Sequence, residues 1–376
     1  MVTESFLPSL NGVTTSVVKV LDHLAARGHE AVVVCPGPAP ARYAGFEIRA
    51  CAGVDFQGFR AALPHRRPLR ELFDTAPDIL HAAAPFGIGA QALDLARRAG
   101  IPSVAVFQTD VPGYTRRYGL SLTANAAWRW LRRVHNTADL TLAPSRATLT
   151  TLAAAGFERT RSWGRGVDAQ TYHPNRRTRE DVRALRRQLA PQGQVLVGYV
   201  GRLAPEKQVH RLLATARMPG VRLVLVGDGP SRPQLERTLA GTDAVLLGSM
   251  SGEALANAYA AVDVFAHAGT QETFGQTLQE AAAAGLPVVA PASGGPVDLV
   301  ADGRTGFLVP PEDDHALAVA VARLAADPGL RARMGEAGRR DVLPRSWTAL
   351  GDALIGHYHH VIHARSLQPA QLAGQA

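Results

Sequence analysis

Strand-length runs of apolar, mostly β-branched residues recur along the chain, each followed by a stretch of helical periodicity, and the alternation comes in two separate series. A strand that is apolar at every position has both faces buried, the mark of a parallel sheet covered by helices on either side. The fold class expected is therefore α/β, with two doubly wound, Rossmann-like domains facing a central cleft at the carboxyl ends of their strands.

In the first series Ala31 to Cys35, Ile79 to His81, Ser103 to Phe107 and Leu140 to Ala143 read as strands. Thr14 to Arg27, Gly89 to Ala99 and Arg146 to Ala155 read as helices. In the second, the strands are Val195 to Val200, Arg222 to Val226, Val245 to Leu247, Val262 to Ala266 and Val288 to Ala290. Its helices are Gln208 to Arg217, Arg232 to Leu239, Glu253 to Ala261 and Gly275 to Ala284. Gly, Pro and charge interrupt the pattern from Gly164 to Arg179, which sets residues 1–170 apart as an N-terminal domain and 171–345 as a second. Residues 346–376 read as a C-terminal helix and tail that can pack back on the N-terminal domain. Only Val2 and Thr3 precede the turn-like Glu4 to Gly12, so the first strand is expected to be truncated or to begin upstream of Met1.

With 46% hydrophobic and 19% charged residues in 376, the composition excludes a disordered chain. No run approaches the ~18 apolar residues of a spanning helix, and the polar start after Met1 does not resemble a secretory signal. Cys35 and Cys51 are too few for a disulfide framework, and no Cys/His cluster has zinc spacing. A cytoplasmic protein is expected. The net charge of +8 comes almost wholly from arginine, Lys19 and Lys207 being the two lysines. Such a balance attracts phosphates, anionic lipid or nucleic acid. A nucleic-acid-binding protein would show a recognised motif, and none is present.

Two loops carry the chemistry. Gly201-Arg-Leu-Ala-Pro-Glu-Lys207 follows a strand directly and puts Arg202 and Lys207 at its carboxyl end. A guanidinium fork and an ammonium there suit a diphosphate whose charge grows as it leaves, unless both are merely solvated surface cations. The spacing is not that of a P-loop. The second loop, His267 to Gly275, holds Glu272 and leads into a helix carrying Glu280, whose first amides are expected to be free for an anion. The two carboxylates are eight positions apart, about 12 Å in a helix. At that distance they cannot share a proton, but they can grip two polyol groups of one elongated ligand. His81 reads as structural, and Asp228 as part of a tight turn.

Gly201-Arg-Leu with Glu206-Lys207, Glu272-Thr-Phe-Gly with Glu280, Gly285-Leu-Pro-Val-Val and Gly306-Phe-Leu-Val together resemble glycosyltransferase family 4 over nearly the whole chain. The opening Val2 to Val13 and the segment Phe107 to Tyr114 are most similar to actinobacterial GDP-mannose-dependent α-mannosyltransferases acting on lipid acceptors, with sulfoquinovosyl transferases nearby. The resemblance implies a retaining enzyme of the GT-B fold that takes a nucleotide-diphosphate sugar as donor and needs no metal or other cofactor. It places Arg202 and Lys207 on the diphosphate, Glu272 on the donor-sugar hydroxyls, and the amides of Phe274 and Gly275 near sugar and phosphate. Gln276 lies in the same donor loop, Glu280 on the ribose, and Gly12 in a loop closing over the phosphates; a simple helix-entry turn is the other reading of Gly12. The implied acceptor is a lipid or glycan hydroxyl, with UDP-sugar transfer of glucosyl or sulfoquinovosyl type, an epimerase, or an inactive nucleotide-sugar binder as alternatives.

Many members carry histidine where this chain has Gln108, which can orient a hydroxyl but cannot take a proton at neutral pH. With Gln108 and Asp110 as orienting groups, the leaving diphosphate itself would accept the acceptor's proton; Asp110 otherwise reads as a turn or cap. Two arginine-rich segments, Arg66, Arg67 and Arg70, and Arg129, Arg132 and Arg133 beside Trp128 and Trp130, suit reversible binding to an anionic membrane surface, on the inner face of the plasma membrane. The alternative is a helix with its tryptophans packed inward.

Overall fold

The structure, a computed structural model, describes residues 1–9, 11–56, 59–62, 66–108 and 121–367, with the backbone alone at 54–56, 59–62, 66–68 and 121–124. The chain divides into two compact units, Met1–Arg165 with Trp347–Ala376, and Gly166–Ser346.

The first unit is built on strands β1 (Val2–Thr3), β2 (Val32–Pro36), β3 (Arg42–Tyr43), β4 (Phe46–Cys51), β7 (Leu80–Ala83), β8 (Ser103–Val106), β9 (Leu140–Ala143) and β10 (Thr160–Ser162), while β5 (Gly53–Phe56) and β6 (Phe59–Ala62) form a separate antiparallel ribbon. The sheet runs β10-β9-β8-β7-β1-β2-β4-β3, parallel except for the β3–β4 edge pair. The opening strand, expected to be truncated or to begin upstream of Met1, is in place as the two residues Val2–Thr3. Val2 pairs with Val34 on one side and Ala82 on the other, in the middle of the sheet. The Met1 amino group donates to Val32 O at 2.7 Å.

Helix Trp347–Ser366 completes this unit, with Leu354, Tyr358 and Val361 in the same apolar cluster as Val17, Val20 and Leu21 of helix Gly12–Ala26. The Tyr358 hydroxyl meets His81 Nδ1 at 2.6 Å, and burial pushes the His81 pKa down to about 3, so this histidine is a neutral core group.

In the second unit β11 (Val195–Val200), β12 (Val221–Val226), β13 (Val245–Gly248), β14 (Val264–Ala266), β15 (Val288–Pro291) and β16 (Gly306–Val309) form one parallel sheet in the order β13-β12-β11-β14-β15-β16. Apolar clusters cover both faces: Tyr199, Leu223 and Val321 belong to one, and Leu196, Tyr259 and Phe265 to the other. The unit begins at Gly166 rather than after residue 170. Val167 N donates to Arg345 O at 2.9 Å, and its side chain packs with Ala282, Ala283 and Val342, so the chain has entered the second core before the polar stretch begins.

The helix expected over Gln208 to Arg217 is replaced by 3₁₀ turns at Pro205–Lys207 and Val209–Leu212 and one α-helical turn, Leu213–Ala216. Gln208 stands between the turns at φ 49, and its Oε1 accepts from Thr270 N at 3.3 Å. That tie to the next loop holds the backbone where a continuous helix cannot run.

Candidate active site

The strand order of the second sheet reverses between β11 and β14, which are neighbours in space with β12 and β13 between them in sequence. Loops leaving the carboxyl ends of two such strands diverge and leave a crevice, the usual ligand site of a doubly wound sheet. The loop after β11 ends in Lys207 and the loop after β14 carries Glu272; Lys207 Nζ donates to Glu272 Oε2 at 2.7 Å. The side chains are 23% and 15% exposed, so the pair is only partly screened by water. Oε1 of the same carboxylate accepts from the amides of Gly275 at 3.1 Å and Phe274 at 3.4 Å.

This corrects the expectation that those amides are free for an anion: Glu272 is itself the anion on them. Burial pushes the Glu272 pKa up, but Lys207, His267 and these hydrogen bonds outweigh it and hold the value at about 2. His267 is buried and its own pKa is pushed down to about 4, so near neutrality Lys207 is the charge that counts.

Helix Gln276–Ala283 follows at once. Gln276 Nε2 donates to Gly166 O at 3.1 Å, and Glu280 Oε2 accepts from the Tyr259 hydroxyl at 2.9 Å. Burial drives the Glu280 pKa up to about 7, against the pull of the Tyr259 and Gln276 hydrogen bonds. The two carboxylates thus differ by electrostatic surroundings: Glu272 is a fixed anion, Glu280 a group poised between acceptor and donor of hydrogen bonds. Arg202 is exposed, with Nη1 3.8 Å from Glu206 Oε1.

Several supporting residues escaped the sequence reading. Gly295 N donates to Glu272 O at 2.7 Å, and a Cβ at Gly295 would lie 2.1 Å from Phe274 O, so only glycine lets this loop press on the Glu272–Gly275 backbone. Ser293 Oγ donates to Thr270 O at 2.9 Å from the same turn. A Ser-Gly-Gly-Pro run straight after an apolar strand was the available signal. His267 stacks on Tyr199 with ring centroids 6.4 Å apart.

The first sheet reverses its order between β1 and β7, and there Glu4 takes the position of an anion. Its Oε1 accepts from the amides of Phe86, Gly87 and Gly89 at 3.0, 2.7 and 3.0 Å, capping helix Ile88–Ala99 from a distant loop. Gly12 opens helix Gly12–Ala26 behind the N-cap Asn11, whose Oδ1 accepts from Val13 and Thr14 at 3.0 Å, which matches the helix-entry reading. Gln108 is buried just past β8 and accepts a hydrogen bond from Arg165 Nη2 at 3.2 Å. Asp110 lies outside the described residues.

Residues 10–171 match glycosyltransferase family 4 and residues 181–341 match glycosyl transferases group 1. A GDP-mannose-dependent alpha-mannosyltransferase of Mycobacterium tuberculosis is 46% identical over 98% of both chains. One of the same name from Mycolicibacterium smegmatis is 45% identical over 98% of this chain and 99% of its own. Among solved structures, Anabaena HepE in complex with UDP and glucose superposes with a TM-score of 0.75 at 22% identity, over 95% of this chain and 98% of that one. The matched models and relatives make the chain a glycosyltransferase, and its two parallel-sheet units with this structural likeness have the GT-B fold. The chain belongs to glycosyltransferase family 4.

Among the described residues no helix is long and apolar enough to cross a membrane.

Proposed function

We propose that the protein transfers a mannosyl group from GDP-mannose to a hydroxyl of a lipid or glycolipid, with retention at the anomeric carbon and without a metal ion. The observation that carries the donor and the reaction is the likeness, over nearly the full length of both chains, to relatives named GDP-mannose-dependent alpha-mannosyltransferase. The donor's mannosyl group is α-linked to phosphate, so an α-linked product means retention.

In this reading Arg202 and Lys207 take the diphosphate, Glu272 the sugar hydroxyls and Glu280 the ribose. A phosphate oxygen or hydroxyl that uses the amides of Phe274 and Gly275 displaces Glu272 Oε1 from them. As the bond from C1 to the phosphate oxygen breaks, a bond to the acceptor oxygen forms on the same face. The acceptor's proton passes to an oxygen of the departing GDP, and the electron pair of the broken bond leaves with GDP. Developing charge on that leaving group is what Lys207 and Arg202 stabilise. Supplying GDP-mannose and UDP-glucose in parallel to the purified protein with glycolipid acceptors, and reading the product anomer by NMR, tests the proposal. An α-mannosyl product from GDP-mannose is expected; transfer from the UDP sugar alone would overturn it.

A lipid acceptor and an anionic membrane surface are favoured by one patch on the first unit. Trp130 and Phe86 are 44% and 43% exposed, Trp130 Nε1 donates to Phe86 O at 3.2 Å, and Arg129, Arg132 and Arg133 are exposed on the same helix, Ser121–His135. Trp128, by contrast, is stacked on Phe107 and packs against Phe157. Trp128 is thus packed inward, and the exposed ring of Trp130 supports the membrane reading. The side chains of Arg66 and Arg67 lie outside the described residues, and Arg70 is exposed. Flotation with vesicles should show binding to anionic and not to zwitterionic lipid, weakened by salt and by Trp130→Ala. Equal binding to both, or to neither, would point to a soluble acceptor.

A further inference from the structure

Arg165 is the last residue of the first unit, past the end of β10. Its guanidinium lies between Gln108 and Gly12, two residues to which the family resemblance gives a place near the substrates. Nη2 donates to Gln108 Oε1 at 3.2 Å, and Nη1 fills the space above Gly12, 2.7 Å from where a Cβ at that position would sit.

A guanidinium has five N–H donors and no acceptor. It therefore decides which end of the Gln108 amide faces it: the oxygen must turn to Arg165, and the NH₂ arm is left for other partners. Among the described residues nothing accepts from Gln108 Nε2. The side chain is 8% exposed, so turning the amide over would break a charge-assisted bond inside the protein. The absence of a Cβ at residue 12 is what gives the guanidinium room.

We infer that Arg165 is a positioning residue for sugar transfer, locking Gln108 so that its Nε2 offers two N–H donors, and no proton acceptor, to an oxygen of the substrates. The inference rests on the transfer reading above and extends it. Gln108 then holds an oxygen rather than receiving the proton, in keeping with the proton's passage to the leaving GDP. A lysine at 165 keeps a donor for Oε1, whereas methionine leaves the amide free to turn.

The test is a double-mutant cycle on the full chain with Gln108→Ala, Arg165→Met and the pair of changes, reading kcat and KM separately. Each single change should lower kcat by about tenfold to a hundredfold, the scale of a misplaced group. KM for the donor should change by less than about threefold, and the double variant should be no worse than either single one. Arg165→Lys should recover part of the loss. GDP binding, measured by calorimetry, should survive in every variant, and the urea midpoint read by tryptophan fluorescence, which follows the first unit, should stay where it was and so certify the fold around residues 108 and 165. Additive losses, or a full loss in Arg165→Met with none in Gln108→Ala, would overturn the positioning role. If the wild-type protein uses another nucleotide sugar, the mannosyl reading falls. The same cycle run with that sugar still decides between coupling and additivity.

Discussion

Replacing Lys207 by methionine keeps the length of the side chain and removes the charge that holds Glu272 ionised. The Glu272 pKa is lowered from 4.5 to about 2 although burial pushes it the other way, and at ~1.4 kcal/mol per unit that is about 3 kcal/mol of pH-dependent stability. A depressed carboxylate contributes fully above its unfolded value of 4.5 and loses that contribution as pH falls toward 2. In the variant, burial acts on Glu272 without its partner and raises the pKa, so the penalty is present above pH 4.5 and fades below it. Both changes run the same way. The gap between the proteins should be at least about 3 kcal/mol at pH 7 and should narrow steadily once the pH drops below 4.5. All four tryptophans, Trp128, Trp130, Trp163 and Trp347, belong to the first unit, so tryptophan fluorescence follows that unit while far-UV circular dichroism follows both. In urea titrations at pH 7 and 3.5, Lys207→Met should shift the dichroism midpoint and leave the fluorescence midpoint where it was. Identical dichroism midpoints at pH 7, or a gap that ignores pH, would refute the reasoning.

Three further outcomes are expected. Glu280→Gln should gain stability over wild type as pH rises from 4.5 to 7, because a carboxyl raised to about 7 loses its contribution across that window; thermal melts at several pH values check this, and a flat difference would contradict it. Gly295→Ala sets a Cβ 2.1 Å from Phe274 O, and should abolish transfer and lower the melting temperature by several degrees, whereas wild-type turnover would show the loop yields freely. EDTA should leave transfer unchanged; loss restored by Mg²⁺ or Mn²⁺ would remove the metal-free mechanism.

Much of the fold was legible because buried parallel strands are continuous apolar runs: Leu140–Ala143 and Val195–Val200 span the residues read as strands. β4 escaped because it alternates, with exposed Glu47 breaking the run between buried Phe46 and Ile48. The site was legible as residue types at the ends of strands and not as pairings. That Lys207 meets Glu272 across 65 positions depends on β11 and β14 becoming neighbours, which no local pattern announces. Arg165 was hidden for a similar reason. Its partners lie far away in the chain, and in sequence it stood as one more charge in a polar joining segment.

The return of helix Trp347–Ser366 to the first unit has a consequence for synthesis. Leaving the ribosome, residues 1–165 appear first, but Val17, Val20 and Leu21 wait for Leu354, Tyr358 and Val361 before their cluster is complete. The second unit, continuous from Gly166 to Ser346, has all its strands as soon as it emerges. The part translated later is thus the part that can finish first, and the earlier part stays open to chaperones until the last helix arrives.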